Sequence, residues 1–159
     1  MAGVSIFRTG IAPDWIDYNG HLRDAYYGLI VSFAIDALMD RIGLDAAYRA
    51  RTGCTLYTLE LHMHYLREIK STATVAAELR ILGADRKRIH AAFDLCCEPD
   101  SSPAAIAEVM LLHVRQAEAV SSEPFTPATA AAIEQLREAS AQLPPASHGS
   151  RRMQLPPPR

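Results

Sequence analysis

Cysteine is scarce in this chain: Cys54, Cys96 and Cys97 are the only three among 159 residues. None has the spacing of a metal site, and an odd count with an adjacent pair argues against a disulfide framework. Reduced thiols, no metal and a cytoplasmic setting are therefore expected. Long apolar runs are also missing. The opening stretch MAGVSIFRTG has no signal-like core, and nothing approaches the roughly 20 apolar residues of a membrane span. Nor is there a basic excess, since 16 Lys and Arg face 18 Asp and Glu for a net charge of −2. That balance excludes a phosphate-backbone binder, so neither nucleic acid nor membrane is expected as a partner. No internal repeat stands out.

What remains is an ordinary globular balance, with 49% hydrophobic and 21% charged residues, enough for one buried core. A single domain is expected over residues 1–143. Residues 144–159 are rich in proline and poor in apolar side chains, which predicts a disordered tail.

Hydrophobic periodicity divides the chain into elements. Residues 3–11 suit a first strand, and Tyr18-Asn19-Gly20 is a turn signal because Asn and Gly tolerate positive φ. Asp24 then opens a helix to about Ile42, as N-cap or first-turn residue. Asp24, Gly28, Ser32, Asp36 and Asp40 fall four apart on it, and nearly everything else is apolar. A helix so greasy belongs in the middle of a fold. Gly43 stops it, and a short helix is predicted over 45–51. From Cys54 to Ile69 the period becomes two, with Tyr57, Leu59, Leu61, Met63 and Tyr65 predicted on the core side. Thr58, Glu60, His62 and His64 then face the other way. Strands follow over 72–82, 88–97 and 105–115, an antiparallel meander, and a helix over 127–143. The expected fold is α+β: a curved, five-stranded antiparallel sheet wrapped around the apolar helix. Its open edges predict pairing across a two-fold axis, hence a homodimer or a dimer of dimers.

The stretch from Asp14 to Tyr27 carries the most chemistry. Asp17 lies in a tight turn just before a helix N-terminus, where amides lack partners and the dipole is positive. A carboxylate beside such donors can attack a carbonyl held by them, or direct water to it. That suits hydrolysis of an activated acyl group. The plainer role for Asp17 is turn chemistry, accepting backbone N–H groups two residues on.

Asp17-Tyr18-Asn19-Gly20-His21, Asp24-Ala25-Tyr26-Tyr27, the run from Asp36 to Leu44, Thr58-Leu59-Glu60, and Met110 to Val114 together resemble the hotdog-fold acyl-CoA thioesterases. Within them the likeness is to the betainyl-CoA thioesterases of carnitine degradation. It spans about Val4 to Val120. The resemblance implies an acyl-CoA substrate, no cofactor beyond that substrate, and an active site built from two subunits. It implies Asp17 as the catalytic carboxylate and the amides of Arg23 to Ala25, Asp24 among them, as the carbonyl-oxygen site. Tyr18-Asn19 replaces the Pro-Ala that follows this aspartate in the hydroxybenzoyl-CoA type. Hotdog hydratases, with Asp-x-Asn-Pro-x-His-x-Asp, are an alternative: Asp17, Asn19 and Asp24 fit that spacing, but glycine replaces proline and His21 comes one residue early. A non-catalytic acyl-CoA binder is a third reading.

Several side chains have both a functional and a structural reading. His21 would orient substrate or Asp17, or pack beneath the helix; Asn19 would position a water, or hold the turn. Trp15, Tyr18, Tyr26, Tyr27, Tyr57 and Tyr65 supply rings for a cage around a quaternary ammonium, or ordinary packing. Glu60 is a polar candidate for the pocket. It shares a predicted face with His62 and His64, which suits a solvated surface or subunit contact better than a metal. Arg86, Lys87 and Arg88 form a basic hairpin tip that would hold coenzyme A phosphates, or simply be solvated. No cysteine has an activating partner in view.

Overall fold

A computed structural model describes residues 4–144; the proline-rich tail expected beyond Pro144 lies outside them. The central helix α1 runs Asp24–Arg41. Tyr27, Ile30, Val31, Ala34, Ile35, Leu38 and Met39 recur on it at helical spacing and are buried. Asp24, Ser32, Asp36 and Asp40 lie exposed on the opposite row. Gly43, at φ +81°, ends this segment in a conformation that a side chain would disfavour.

Around α1 curls an antiparallel sheet in the order β1 (Val4–Gly10), β3 (Thr74–Ala84), β4 (Arg88–Cys97), β5 (Pro103–Arg115), β2 (Cys54–Tyr65). A two-residue strand β6 (Ser121–Ser122), with no signal in the sequence, pairs with β5. A short helix α2 (Ala46–Thr52) precedes β2, and α3 (Pro127–Ala141) packs beside β3. The inner face of the sheet contributes Val75, Leu79, Phe93, Leu95, Val109 and Leu111 to the core around α1. Burial of such side chains contributes roughly 1.5–3 kcal/mol each before the entropy of ordering is set against it. Among the described residues no helix is long and apolar enough to cross a membrane, and no group of three His, Cys, Asp or Glu could hold a metal ion.

One sequence expectation fails on β2. Its pairing with β5 slips between Thr58 and Glu60, leaving Leu59 as an extra residue. A bulge shifts the alternation by one. Leu56 and Thr58 therefore face α1 before it, and Leu61 and Met63 face inward after it. Tyr57 and Leu59, predicted on the core side, are exposed instead. β2 is also an edge strand with its outer rim unpaired by any described strand, and it ends at Tyr65 rather than Ile69.

The outer face of the sheet buries a strained pair of acids. Glu78 on β3 stands opposite Asp94 on β4. Both are buried, and Glu78 Oε2 and Asp94 Oδ1 meet no hydrogen-bond partner. Asp94 is held by the Nε of Arg80 at 3.1 Å. Burial pushes the Glu78 carboxyl above its usual value of 4.5; a hydrogen bond to Ser5 opposes this, and the charge of Asp94 adds to it. A raised folded-state pKa means the folded chain holds the proton longer than the unfolded one. Glu78 therefore costs no stability below about pH 4.5, and a cost appears as pH rises through the folded value. Glu78→Gln should raise the melting temperature at pH 7–8 by about 2–4 °C. The gain should shrink to nothing near pH 4, as scanning calorimetry at the two pH values will show; a gain independent of pH would refute the titration argument.

Candidate active site

The turn before α1 is built by Asp17 itself. Its Oδ1 accepts the N–H of Asn19 at 2.8 Å and of His21 at 3.2 Å. Its backbone N–H donates to His21 O, and its carbonyl accepts from Gly20 N–H. Gly20 sits at φ +81°, which the turn requires. The structural reading of Asp17 is thus satisfied by one oxygen. Its Oδ2 accepts no hydrogen bond among the described residues and is available to a ligand. Donation from His21 and then Asn19, with Arg23 nearby, holds this carboxyl below its ordinary value of 3.8 despite opposing desolvation. Asp17 is a carboxylate throughout the neutral range.

Two further links bring the turn to the end of β2. Leu22 N–H donates to Ile69 O at 2.8 Å, and an isolated bridge joins His21 to Lys70. The His21 ring reaches Glu68, Nε2 to Oε2 3.2 Å, rather than Asp17. It is the backbone of His21, not its imidazole, that orients the carboxylate. Between the turn and the 65–68 segment opens a cleft of about 490 Å³, walled by Asp17, Tyr18, His21, Asp24, Tyr27 and Tyr65 among others. Arg23, Arg67 and Glu68 also line it.

At the start of α1 most amides are occupied. Arg23 N–H donates to Trp15 O, Tyr26 N–H to Arg23 O, and Ala25 N–H to the carboxylate of Asp24. The Asp24 N–H meets no acceptor among the described residues. Of the three amides expected to hold a carbonyl oxygen, Asp24's is the one left open, with the helix dipole behind it. Asp17 and Asp24 both line the cleft, and a carboxylate oxygen with an amide donor beside it can serve acyl transfer: one acts on carbon, the other on the developing oxyanion.

The remaining candidates divide. Tyr18, Tyr27, His21 and Asp24 line the cleft with Asp17. Asn19 contributes its backbone N–H to the turn. Trp15 and Tyr26 do not line the cleft. Their rings stack on each other at 5.6 Å and 16°, within a cluster that includes Phe33 and Phe7 on the β1 side of α1. Tyr26 and Tyr27 are neighbours in sequence, but successive helical residues point about 100° apart. Glu60 sits beyond the bulge on the outer face, paired with His62 at 2.9 Å, and lines no part of the cleft. Arg86, Lys87 and Arg88 occupy the β3–β4 turn. Arg88 is held by Asp85, whose carboxyl it lowers to about 2, and Lys87 by Ser122. That turn lies at the far end of the sheet: Arg88 aligns with Leu112 and Tyr65 with Ala105, a separation of about 23 Å at ~3.3 Å per residue. The three thiols stay free, Cys54 and Cys96 buried, and burial pushes the Cys96 thiol to about 11.

Tyr65, Arg67 and Glu68 enter the cleft through tertiary pairing. Tyr65 donates its hydroxyl to Asp24 O at 3.3 Å and meets Tyr27 edge-on, centroids 5.1 Å apart. Arg67 is committed to Asp100 and Ser102. A second cavity of about 330 Å³ lies between α1 and β2, lined by Gly28, Ser32, Asp36, Arg49, Thr58 and Leu61 among others.

Comparisons with known proteins give the family and the fold. The Thioesterase-like superfamily profile matches residues 11–146. A betainyl-CoA thioesterase of Pseudomonas aeruginosa is 42% identical over 154 residues, covering 97% of this chain and 96% of that protein. The crystal structure of a candidate thioesterase from Pseudomonas putida KT2440 superimposes with a TM-score of 0.83 at 42% identity, covering 98% of this chain and 99% of that one. A Staphylococcus aureus protein solved in complex with CoA gives a TM-score of 0.85 at 25% identity, with 98% of each chain covered.

Proposed function

The chain belongs to the thioesterase-like superfamily and has its hotdog fold, and from that premise we propose that it hydrolyses betainyl-CoA to betaine and CoA. The cleft that joins the free oxygen of Asp17 to the open amide of Asp24 carries the reaction class. The near full-length likeness to a betainyl-CoA thioesterase supports the substrate.

In this reading the thioester carbonyl oxygen points at the Asp24 N–H, and its carbon lies against Asp17 Oδ2. Asp17 either attacks the carbon, giving a mixed anhydride that water then opens, or takes a proton from the attacking water. In both routes the C–S bond breaks, one water is consumed, and the thiolate leaves without needing a strong general acid. Charge gathering on the oxygen is met by the amide and the helix dipole.

Two copies joined along their β2 edges form the active species. Tyr57 and Leu59 on the outer side of that strand are each more than a third exposed, apolar surface that a lone protomer would leave open to association. Two-fold antiparallel pairing reverses one sheet against the other. The basic turn of one copy then comes to the cleft end of its neighbour, so Arg86 and Lys87 of the partner subunit would meet the CoA phosphates.

A panel of acyl-CoA esters scored for free-thiol release tests the assignment. Betainyl-CoA should turn over with the highest kcat/KM, and straight-chain acetyl and butyryl esters should be poorer by about ten-fold or more. Thiol release from none of them would dismiss the hydrolase reading.

A further inference from the structure

Two aromatic rings in the Asp17 cleft are left largely uncovered by the fold. Tyr18 is 93% exposed and Tyr65 55% exposed, yet both line the cleft wall. Tyr65 is nevertheless held in place. Its hydroxyl is bonded to Asp24 O, and its ring meets Tyr27 at 81°. Tyr27 is itself buried and fixed by the Ile69 N–H at 3.2 Å. A ring so anchored, with much of its surface bare, stands at the helix start.

The charges around it favour a cation. Asp17, Asp24 and Glu68 line the cleft with Arg23 and Arg67; Arg67 is occupied by Asp100 and Ser102, and Glu68 meets the His21 ring at 3.2 Å, which leaves Asp17 and Asp24 facing Arg23. Geometry narrows the choice further. In a betainyl thioester the nitrogen is joined to the carbonyl carbon through one methylene, about 2.5 Å away by ordinary bond lengths. An acyl carbon held between Asp17 and Asp24 therefore brings its ammonium group to the same spot. Rings outside the cleft, such as the Trp15–Tyr26 stack, cannot meet it. A quaternary ammonium donates no hydrogen bond, so ring faces and nearby carboxylates are the groups able to recognise it.

We propose that Tyr65, with Tyr18 across the cleft, is the residue that selects a positively charged acyl group, its ring face against the N-methyl groups and the Asp17 and Asp24 carboxylates setting the field. This rests on the hydrolase reading above and assigns the acyl preference within that site. Tyr65 selects; it takes no part in bond making.

The neutral carbon isostere, 3,3-dimethylbutanoyl-CoA, has the shape of betainyl-CoA without its charge. Thiol release from both esters is measured for wild type, Tyr65→Leu and Tyr65→Phe, with melting curves confirming that each variant folds. Tyr65→Leu should lose about ten-fold more in kcat/KM on the cationic ester than on the neutral one. Tyr65→Phe keeps the ring and loses only the bond to Asp24 O, so it should retain the cationic preference. An equal loss on both esters, or a preference that survives in Tyr65→Leu, would overturn the proposal. Calorimetric binding of betaine and 3,3-dimethylbutanoate provides a readout that does not require turnover. A betaine preference present in wild type and Tyr65→Phe and absent in Tyr65→Leu supports the assignment even where no thiol is released. In that case the hydrolase reading alone falls; equal binding of the two acids by wild type overturns the selectivity.

Discussion

Asp17→Asn should lower kcat for betainyl-CoA by about 10²–10⁴-fold, the span typical of removing a group that acts as base or nucleophile. The substitution is nearly isosteric. Its carbonyl oxygen can still accept the Asn19 and His21 amides that Asp17 Oδ1 accepts now, so the turn should hold. What disappears is the second carboxylate oxygen, replaced by an NH2 group that neither attacks nor takes a proton. Thiol release gives the rate, and a melting temperature within about 2 °C of wild type shows that the fold survives. Wild-type turnover in the variant would remove Asp17 from the chemistry. The pH profile supplies a second check. His21 and Asn19 donors keep the Asp17 carboxyl below its usual 3.8, so the reactive anion is fully formed at neutral pH and is lost only as pH falls through that depressed value. No acid limb from this group should appear between pH 7 and 5.

The second large effect concerns the edge of the sheet. Tyr57 and Leu59 are 37% and 55% exposed on β2, an edge strand whose outer rim no described strand pairs. Replacing both with lysine sets like charges against each other wherever two copies pair these edges. Tyr57→Lys with Leu59→Lys should convert the proposed dimer to monomers in analytical ultracentrifugation. It should also cost about ten-fold or more in kcat/KM, because the proposed shared site loses its second wall. A wild-type monomer with full activity would contradict the shared site outright. A variant that stays dimeric would move the interface away from β2.

The order of elements was readable from two kinds of signal. The helix from Asp24 shows a small or polar row four apart in an otherwise apolar run, whose Tyr27, Ile30, Val31, Ile35, Leu38 and Met39 are buried while Phe33 is exposed, and β3 shows alternation in Val75, Ala77, Leu79 and Ile81, all buried as expected. β2 was read with the right limits at its start and the wrong phase in its first half. Its apolar alternation continues without a break through Tyr57, Leu59 and Leu61, while the backbone slips one residue at Leu59. A bulge leaves no mark in such a pattern, since only the pairing with β5 defines it.

The site divides along the same line. Asp17, His21 and Asp24 are close in sequence, and a turn keeps them close in space. Trp15 and Tyr26 are just as close along the chain, but Tyr26 points away from the cleft on its helix and stacks on the Trp15 ring there. Arg67 and Glu68 have no local signature. They reach Asp17 because Leu22 bonds to Ile69 and His21 bridges to Lys70, contacts that exist only once β2 has packed beside α1. Tyr65 was visible as one aromatic among several; its bond to Asp24 O is what singles it out.

A crystal structure of Asp17→Asn with betainyl-CoA bound decides where the thioester goes. The acyl carbon should lie about 3–3.5 Å from the residue-17 side chain, its oxygen facing the Asp24 amide and its trimethylammonium group against Tyr65. An acyl group seated instead in the cavity between α1 and β2, beside Ser32 and Asp36, would contradict a catalytic carboxylate at position 17.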